Sequence, residues 1–168
     1  MNLTIRTLQV QDIQSIAQAF AQIGWNKPAS LYERYLAEQN AGERVCLVAF
    51  VDGDFAGYLT VHWQADYAPF RAANIPEIAD FNVLPHYRRQ KIGTHLMEAG
   101  ETQIAQRSPI AGIGVGMYPD YGAAQRLYVL RGYVPDGRGL AYDGRTLPYG
   151  EQVTNDDALT FYFTKQLT

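Results

Sequence analysis

The sequence has little cysteine and no long apolar segment. Cys46 is the only cysteine among 168 residues, which excludes an internal disulfide and indicates a reducing compartment. It lies in the apolar run Val45–Phe50, where inert packing is its expected role. No segment approaches the apolar length of a membrane span, and the first residues lack the apolar core of a signal peptide. These absences predict a cytoplasmic protein without a membrane partner.

Charge and histidine are also sparse. Charged residues make up 18% of the chain and the formal net charge is −3, so a broad nucleic-acid surface is not expected. The three histidines, His62, His86 and His95, are scattered without the spacing of metal ligands, and no metal site is predicted. Apolar residues make up 47%, which suits a folded globular protein. We expect residues 1–168 to form a single domain.

One segment places a basic turn between an apolar strand pattern and a helical pattern. The strand pattern ends at Pro85, three cations follow at Arg88, Arg89 and Lys91, and Gly93 opens the helical pattern. A helix N-terminus presents unpaired backbone N–H groups and the positive end of the helix dipole. Cations and a glycine beside it form a site for a phosphate or pyrophosphate. A solvated basic turn is the alternative interpretation.

Two motifs in this chain resemble those of a known family. The segment Arg88–Gly93 reads Arg-Arg-Gln-Lys-Ile-Gly. It resembles the acetyl-coenzyme A signature Arg/Gln-x-x-Gly-x-Gly/Ala of the GNAT superfamily of N-acetyltransferases, with Lys91 in place of the first glycine. The segment Ala124–Tyr133 resembles the family's Ala-x-x-Leu-Tyr-x-x-x-Gly-Phe/Tyr. The motifs occur in the family's order and at about its spacing, and the resemblance extends from about Leu3 to Leu167.

The periodicity of apolar residues predicts a mixed α/β layer structure with one sheet. The expected strands cover residues 3–7, 44–51, 55–63, 75–84 and 109–117, a stretch from 133, and 159–163. The expected helices cover residues 10–23, a stretch from 28, 90–106 and 121–131, and residues 64–74 are expected to be a loop. The resemblance implies the GNAT fold, a mostly antiparallel sheet flanked by helices. It also implies that this sheet is splayed between its two central parallel strands, 75–84 and 109–117.

The resemblance implies that acetyl-coenzyme A binds between the splayed strands. The residues expected to contact it are Phe81, Val83, Arg88, Arg89, Gln90, Lys91, Ile92, Gly93 and Thr94. The backbone N–H of Val83 would stabilise the oxyanion of the tetrahedral intermediate, whereas a core valine with a paired amide is the alternative. At Lys91, where a glycine permits a positive φ, a lysine costs more but adds a charge.

Acyl transfer to an amine needs a base. The ammonium form of an acceptor, with a pKa of about 10, must lose a proton before attack, and a carboxylate can take it. Glu77 is the expected base, because its position matches a glutamate that some members of the resembled family use. In an unbroken strand it shares a face with Val83 at a separation of about 20 Å. A bulge, the approach angle of the acceptor or a water relay would have to bridge that distance. Asp80 is the second candidate, and a solvated strand-end carboxylate is the alternative for both.

The departing thiolate needs an acid. Tyr128 stands where the family's helix tyrosine stands and is expected to protonate it. The alternative is a core tyrosine that packs with Leu127 and Ala124, and both roles can hold together.

The acceptor side of the site is less specified. Trp25 lies between the first two helices, in a connection that borders the acceptor pocket in the resembled fold, although it can also anchor its loop. Tyr121 stands where the family has an asparagine, so Tyr118 and Tyr121 are expected either to stack on substrate or to shield the site. The alternating glycines Gly112, Gly114 and Gly116 are expected to leave room for pantetheine or for a neighbouring helix.

The function implied by the resemblance is acetyl transfer to a primary amine by direct attack. The acceptor is a small molecule or a peptide, and antibiotics, polyamines, amino acids and protein N-termini stay open. The competing class is a non-catalytic acyl-coenzyme A sensor, which the residues at positions 91 and 121 make conceivable. The oligomeric state is also open, with a homodimer among the alternatives.

Overall fold

The structure is a computed structural model that describes all residues from Met1 to Thr168. Its strands are β1 (Leu3–Thr7), β2 (Arg44–Val51), β3 (Asp54–His62), β4 (Glu77–Val83), β5 (Ile110–Gly116), β6 (Val134–Tyr142), β7 (Arg145–Thr146) and β8 (Leu159–Gln166). Its helices are α1 (Ile13–Gln22), α2 (Ala29–Asn40), α3 (Ala68–Ala72), α4 (Ile92–Ala105) and α5 (Gly122–Leu130). Short 3₁₀ turns occupy Val10–Asp12, Pro85–Tyr87 and Pro119–Tyr121.

The strands form one eight-stranded sheet in the order β1-β2-β3-β4-β5-β8-β6-β7. The pairing of β4 with β5 is parallel and covers Glu77 opposite Gly112 and Ile78 opposite Ile113. The pairs β1–β2, β2–β3, β5–β8, β6–β8 and β6–β7 are antiparallel. The predicted α/β fold with a mixed, mostly antiparallel sheet is therefore confirmed.

Three differences from the predicted elements have local causes. Residues 68–72, expected in a loop, form the short helix α3, which has Pro69 in its first turn, where a missing N–H costs nothing. Strand β7 has two residues, too few to produce an alternating pattern. Helix α4 begins at Ile92, later than expected, because Lys91 has a φ of 64° and cannot belong to a right-handed helix.

The chain divides into two compact units. The first unit comprises Met1–Trp63 and Ala79–Gln103, and the second comprises Gln64–Ile78 and Ile104–Thr168. The expected single domain over residues 1–168 stays a prediction.

In the first unit, α1 and α2 pack with one face of β2 and β3. The core cluster consists of Leu8, Ile13, Ile16, Phe20, Tyr32, Tyr35, Cys46, Val48, Phe55, Tyr58 and Leu84. Phe20 is its aromatic centre, with the Tyr58 ring edge-on at 5.9 Å. Side chains on the opposite face of β2, Leu47 and Ala49, are buried as well, which explains why this strand is apolar from Val45 to Val51.

Cys46 is completely buried in that cluster. Burial raises the pKa of its thiol to about 12, with the charge of Asp80 as a smaller contribution. The thiol is therefore protonated near neutral pH, and its predicted packing role is confirmed.

In the second unit, the three glycines of β5 accommodate aromatic rings. A Cβ on Gly112 would lie 2.4 Å from the Phe70 ring, and one on Gly116 would lie 2.4 Å from the Tyr121 ring. At Gly114 the neighbours are Thr160 and Tyr162. Since Phe70 belongs to α3, the expected neighbouring helix is found at Gly112, and side chains of this unit fill the space beside all three glycines.

No helix of the protein has both the length and the apolar character required to cross a bilayer.

Candidate functional site

The basic turn of the first unit leads directly into α4. The first bond of that helix runs from the N–H of His95 to the carbonyl of Lys91, at 3.0 Å. The N–H groups of Ile92, Gly93 and Thr94 precede it and have no partner within the helix. Arg88, Arg89, Gln90 and Lys91 are all exposed. Exposed cations therefore surround a helix N-terminus of a 14-residue helix, the arrangement that binds a phosphate group.

Two residues of this turn have left-handed backbones. Arg89 has a φ of 62° and Lys91 a φ of 64°. Such a conformation costs roughly 1–2 kcal/mol for a residue with a Cβ, whereas glycine adopts it freely. The expectation that a lysine at position 91 carries a backbone cost thus agrees with the conformation found. The turn keeps the path that a glycine would permit and adds an ammonium group.

Replacing Lys91 by glycine separates these two contributions. We expect Lys91→Gly to raise the free energy of unfolding by up to about 1 kcal/mol, because the strain at φ 64° disappears. We also expect it to weaken acetyl-coenzyme A binding, because one cation is lost from the turn. The control is Lys91→Ala, which removes the same charge but keeps the strain. Thermal unfolding and titration calorimetry measure the two effects, and equal stability of both variants would contradict this assignment.

Arg88 is directed towards the backbone of β4. Its Nε donates to the carbonyl of Val83 at 3.3 Å, and its guanidinium lies 5.8 Å from the centre of the Trp25 ring. Gln90 instead donates from Nε2 to the carbonyl of His86. Of the side chains expected to contact the phosphate, those of Arg88 and Gln90 are held against the protein by these hydrogen bonds. The side chains of Arg89 and Lys91 are not held by them.

Strand β4 approaches β3 closely at Val83. A Cβ on Gly57 would lie 2.5 Å from the carbonyl oxygen of Asn82 and 3.0 Å from the Cα of Val83. The next residue, Leu84, donates its N–H to the carbonyl of Ala56 at 2.9 Å. Sequence reasoning missed Gly57, although a glycine inside a strand pattern is the signal for such an approach. Phe81 and Val83 themselves are half-buried.

A methyl group at position 57 tests whether this approach matters. We expect Gly57→Ala to push β4 away at Val83, because backbone atoms rather than a flexible side chain occupy the space. A displacement of this kind, on the order of 1 Å, can cost about 10²-fold in turnover. The matched control is Gly122→Ala, where an added Cβ meets no atom within 4 Å. Steady-state kinetics checks the result, and parent-like turnover in a Gly57→Ala protein would contradict it.

Asp80 lies at the centre of a polar network in the first unit. Its carboxylate accepts hydrogen bonds from Lys27 Nζ at 2.8 Å, Tyr35 Oη at 2.7 Å, Tyr58 Oη at 2.5 Å and Asn82 Nδ2 at 2.9 Å. Burial raises the pKa of Asp80, but the charge and hydrogen bond of Lys27 together with the two tyrosine hydroxyls outweigh it. The pKa therefore lies below its ordinary value.

These contacts bear on the second candidate for the base. A carboxylate with a lowered pKa and four donors is a poor acceptor for the proton of an ammonium ion. Asp80 also has a φ of 50°, which interrupts the extended backbone of β4. The expectation that Glu77 and Val83 share one face assumed an unbroken strand. Because Asp80 interrupts the strand, the alternation of side chains between its two faces does not continue past Asp80.

Glu77 belongs to the second unit and is half-buried at the start of β4. Its charge acts on Tyr162, whose pKa is raised to about 12, first by burial and next by Glu77. The ring of Tyr162 stacks on that of Tyr67 at 3.6 Å. Glu77 therefore stands beside an aromatic cluster, in a position where its carboxylate influences a neighbouring phenol.

Tyr128 is a buried residue of α5 in the second unit, with 5% of its surface exposed. Burial alone raises its pKa above the ordinary value, and no charged group or hydrogen bond contributes to the shift. Its ring lies 6.1 Å from that of Tyr133. The phenol is thus protonated near neutral pH and retains a proton that it can donate.

The two candidate substrate tyrosines of the second unit converge on one carboxylate. Tyr118 and Tyr121 both donate their hydroxyls to Asp157, the latter at 2.9 Å, and their rings are edge-on at 4.9 Å. These bonds lower the pKa of Asp157, Tyr118 contributing the most. Because the Tyr121 ring also covers Gly116, its position is fixed, which fits the shielding role better than free stacking.

Trp25 lines a cavity of about 540 Å³ in the first unit that is widely open to solvent. The cavity is bordered by α1, through Gln14 and Gln18, and by the segment that connects α1 with α2, through Asn26 and Lys27. The Trp25 ring also stacks near Phe20, with centres 5.8 Å apart. The indole therefore both anchors its loop and contributes a wall to the cavity.

The described residues include no group of three or more His, Cys, Asp or Glu side chains arranged to hold a metal ion. The expected absence of a metal stays a prediction.

The chain was compared with known families and structures. The profile of the acetyltransferase (GNAT) family matches residues 10–140. A search of curated protein sequences gives no match.

Three solved structures illustrate the likeness of fold. Ard1 from Thermoplasma volcanium has a TM-score of 0.71 at 19% identity, covering 100% of this chain and 99% of its own. The ribosomal-protein-S18-alanine N-acetyltransferase from Escherichia coli has a TM-score of 0.70 at 14% identity, covering 99% and 95%. The PaiA N-acetyltransferase from Thermoplasma acidophilum, solved in complex with coenzyme A, has a TM-score of 0.67 at 15% identity, covering 99% of each chain. At these identities the likeness concerns the fold.

Proposed function

The chain belongs to the acetyltransferase (GNAT) family, and from this premise we propose that it transfers the acetyl group of acetyl-coenzyme A to a primary amine by direct attack. The observation that carries the proposal is the basic turn before α4, where exposed cations surround unpaired helix N–H groups. Two of the structural relatives described above are N-acetyltransferases, and one of them was solved with coenzyme A.

The proposed contacts to acetyl-coenzyme A begin at the pyrophosphate. The N–H groups of Ile92, Gly93 and Thr94 would hold its oxygens, and Arg89 and Lys91 would neutralise their charge. Arg88 would join them by leaving the carbonyl of Val83, a bond of 3.3 Å at an exposed position. Phe81 and Val83 would line the path of the pantetheine arm along β4.

The proposed chemistry assigns one step to each of three groups. The amine nitrogen attacks the thioester carbonyl, and the N–H of Val83 would stabilise the oxyanion that forms. Glu77, directly or through water, would take the proton that the amine loses. When the carbon–sulfur bond breaks, Tyr128 would donate its proton to the thiolate. Since Cys46 is buried and protonated, the acetyl group passes to the amine without an acetyl-cysteine intermediate.

The proposed acceptor site is the cavity beside Trp25. The indole and the amide side chains of the cavity supply apolar contact and hydrogen bonds for the body of an amine substrate. A small molecule and a peptide N-terminus both fit this chemistry. We keep Tyr118 and Tyr121 as groups that shield the reaction, because Asp157 holds both hydroxyls.

Titration calorimetry with acetyl-coenzyme A tests the cofactor half of the proposal. We expect binding with a Kd on the order of micromolar. Reversing charge in Arg88→Glu and Arg89→Glu should weaken binding far more than Lys165→Glu, a cation of β8 outside the turn. Absence of heat and of any thermal shift at millimolar ligand would overturn the proposal. Binding without thiol release for any amine would favour the sensor function instead.

A further inference from the structure

The backbone of Asp80 is unusual for its place in the fold. Its φ is 50°, and that of Asp52 is 51°. Asp52 lies in the turn between β2 and β3, whereas Asp80 lies within β4. A left-handed residue with a Cβ persists inside a strand only when its surroundings determine it. Asp80 stands three residues before Val83 along β4. Its conformation therefore determines the direction of β4 between Asp80 and Val83.

The contacts around Asp80 stabilise this backbone conformation. Its four donors come from the segment between α1 and α2, from α2, from β3 and from β4 itself. The side chains of Asp80 and Lys27 are only 22% and 20% exposed, so solvent screens their ion pair weakly. Removing any donor leaves a half-buried carboxylate with one bond fewer. The network thus holds both the bend in β4 and the loop that carries Lys27.

The Lys27 loop is also a wall of the proposed acceptor cavity. Trp25, Asn26 and Lys27 line it, and the loop is closed by bonds from the N–H of Trp25 to the carbonyl of Phe20 and from the N–H of Lys27 to the carbonyl of Trp25, both at 3.0 Å. Lys27 Nζ lies 5.9 Å from the Phe20 ring and 5.7 Å from the Tyr58 ring. The ammonium group is therefore held by the Asp80 carboxylate and lies close to two aromatic rings.

We infer that Asp80 is a positioning residue for acetyl transfer: its carboxylate holds the bend of β4 that precedes Val83 and, through Lys27, holds the Trp25 loop that borders the acceptor cavity. This inference rests on the proposed function. Asp80 acts through the backbone of β4 and through Lys27, and it takes no proton from the substrate. One network thereby positions both the Val83 N–H, which would donate to the oxyanion, and the Trp25 loop, which forms a wall of the acceptor cavity.

Substitutions separate the two arms of the network. Lys27→Met releases the loop and leaves the Asp80 carboxylate its three other donors, so acceptor KM should rise about 10-fold while kcat falls by no more than about 3-fold. Asp80→Gly tolerates the left-handed φ but removes the carboxylate, so kcat should fall by about 10²-fold and acceptor KM should rise. Acetyl-coenzyme A affinity, measured by calorimetry, should change little in either variant.

Matched controls exclude a general loss of stability. Asp52→Gly changes another left-handed aspartate and should keep the parent kinetics. Tyr35→Phe removes a hydroxyl that donates to Asp80, whereas Tyr142→Phe removes a hydroxyl that donates to Asp156, outside the network. We expect the first to lower kcat and the second to leave it unchanged. Asp80→Asn should retain the lower limb of the pH–rate profile, because a positioning residue does not titrate with turnover.

Hydrogen exchange provides a reading that needs no activity. The amides of Trp25, Lys27 and Leu84 are bonded in the parent and should lose protection in Asp80→Asn but not in Asp52→Gly. Parent-like kinetics and protection in folded Asp80→Gly and Lys27→Met would overturn the inference, and so would loss of the lower pH limb in Asp80→Asn. If the parent binds acetyl-coenzyme A but acetylates no amine, the proposed function fails, and the exchange pattern still decides whether Asp80 positions these segments.

Discussion

Tyr128→Phe should lower turnover by about 10²–10⁴-fold while acetyl-coenzyme A affinity stays close to that of the parent. The substitution keeps the buried ring and removes only the hydroxyl. Tyr128 has only 5% of its surface exposed, so water has little access to the position of its hydroxyl. The expected signature is therefore a fall in kcat without a loss of cofactor binding. Steady-state thiol release and calorimetry measure the two quantities.

The control for this substitution is Tyr142→Phe. Tyr142 lies in β6 of the same unit and donates its hydroxyl to Asp156 at 2.9 Å, so its replacement also removes one phenolic hydroxyl. We expect parent-like turnover in this control. If Tyr128→Phe turns over like the parent as well, Tyr128 is a packing residue and solvent protonates the thiolate.

Glu77→Gln should produce a loss of similar size, about 10²–10⁴-fold in kcat, and a change in pH dependence. A general base works only as the carboxylate, so activity in the parent falls as the pH drops through the pKa of the base. Glutamine does not titrate in this range, and the lower limb of the pH–rate profile should disappear. Acetyl-coenzyme A affinity should be retained, because Glu77 lies outside the basic turn.

The comparison that decides the base is Glu77→Gln against Asp80→Asn. The lowered pKa of Asp80 and its four donors favour Glu77. Retention of the lower limb in Glu77→Gln together with its loss in Asp80→Asn would move the assignment to Asp80. Glu77→Gln should also lower the pKa of Tyr162 from about 12, because the Glu77 carboxylate helps to raise it. Absorbance titration of the tyrosines measures that shift.

The parts of the site that depend on consecutive residues could be predicted from the sequence. The basic turn and the helix after it follow from local patterns, and the structure contains both, although α4 begins at Ile92 rather than at residue 90. The positive φ that a glycine would permit at position 91 is also present. Apolar periodicity likewise predicted the main helices and strands, because each buries one face or both. Local chemistry dictates these features, so a single sequence suffices to read them.

The parts that depend on distant residues could not be predicted. The Asp80 network joins Lys27, Tyr35 and Tyr58, which are between 22 and 53 residues away along the chain. No glycine or proline occurs at the bend in β4, so the sequence contains no local signal for it. An unbroken alternation of side chains between the two faces was therefore expected for β4. The Tyr118–Asp157 contact spans 39 residues and brings the α5 side of the chain to a loop before β8. Such pairings are set by the folded topology.

Thiol release from acetyl-coenzyme A across a panel of primary amines tests the central claim most directly. The panel should contain aminoglycoside-type antibiotics, polyamines, amino acids and peptides with free N-termini, and mass spectrometry should identify the product. We expect at least one amine to yield thiol and N-acetylated amine in equal amounts, with the yield depending on Tyr128. Binding of acetyl-coenzyme A with no acetylated product from any amine of the panel would contradict the claim that the protein is an N-acetyltransferase.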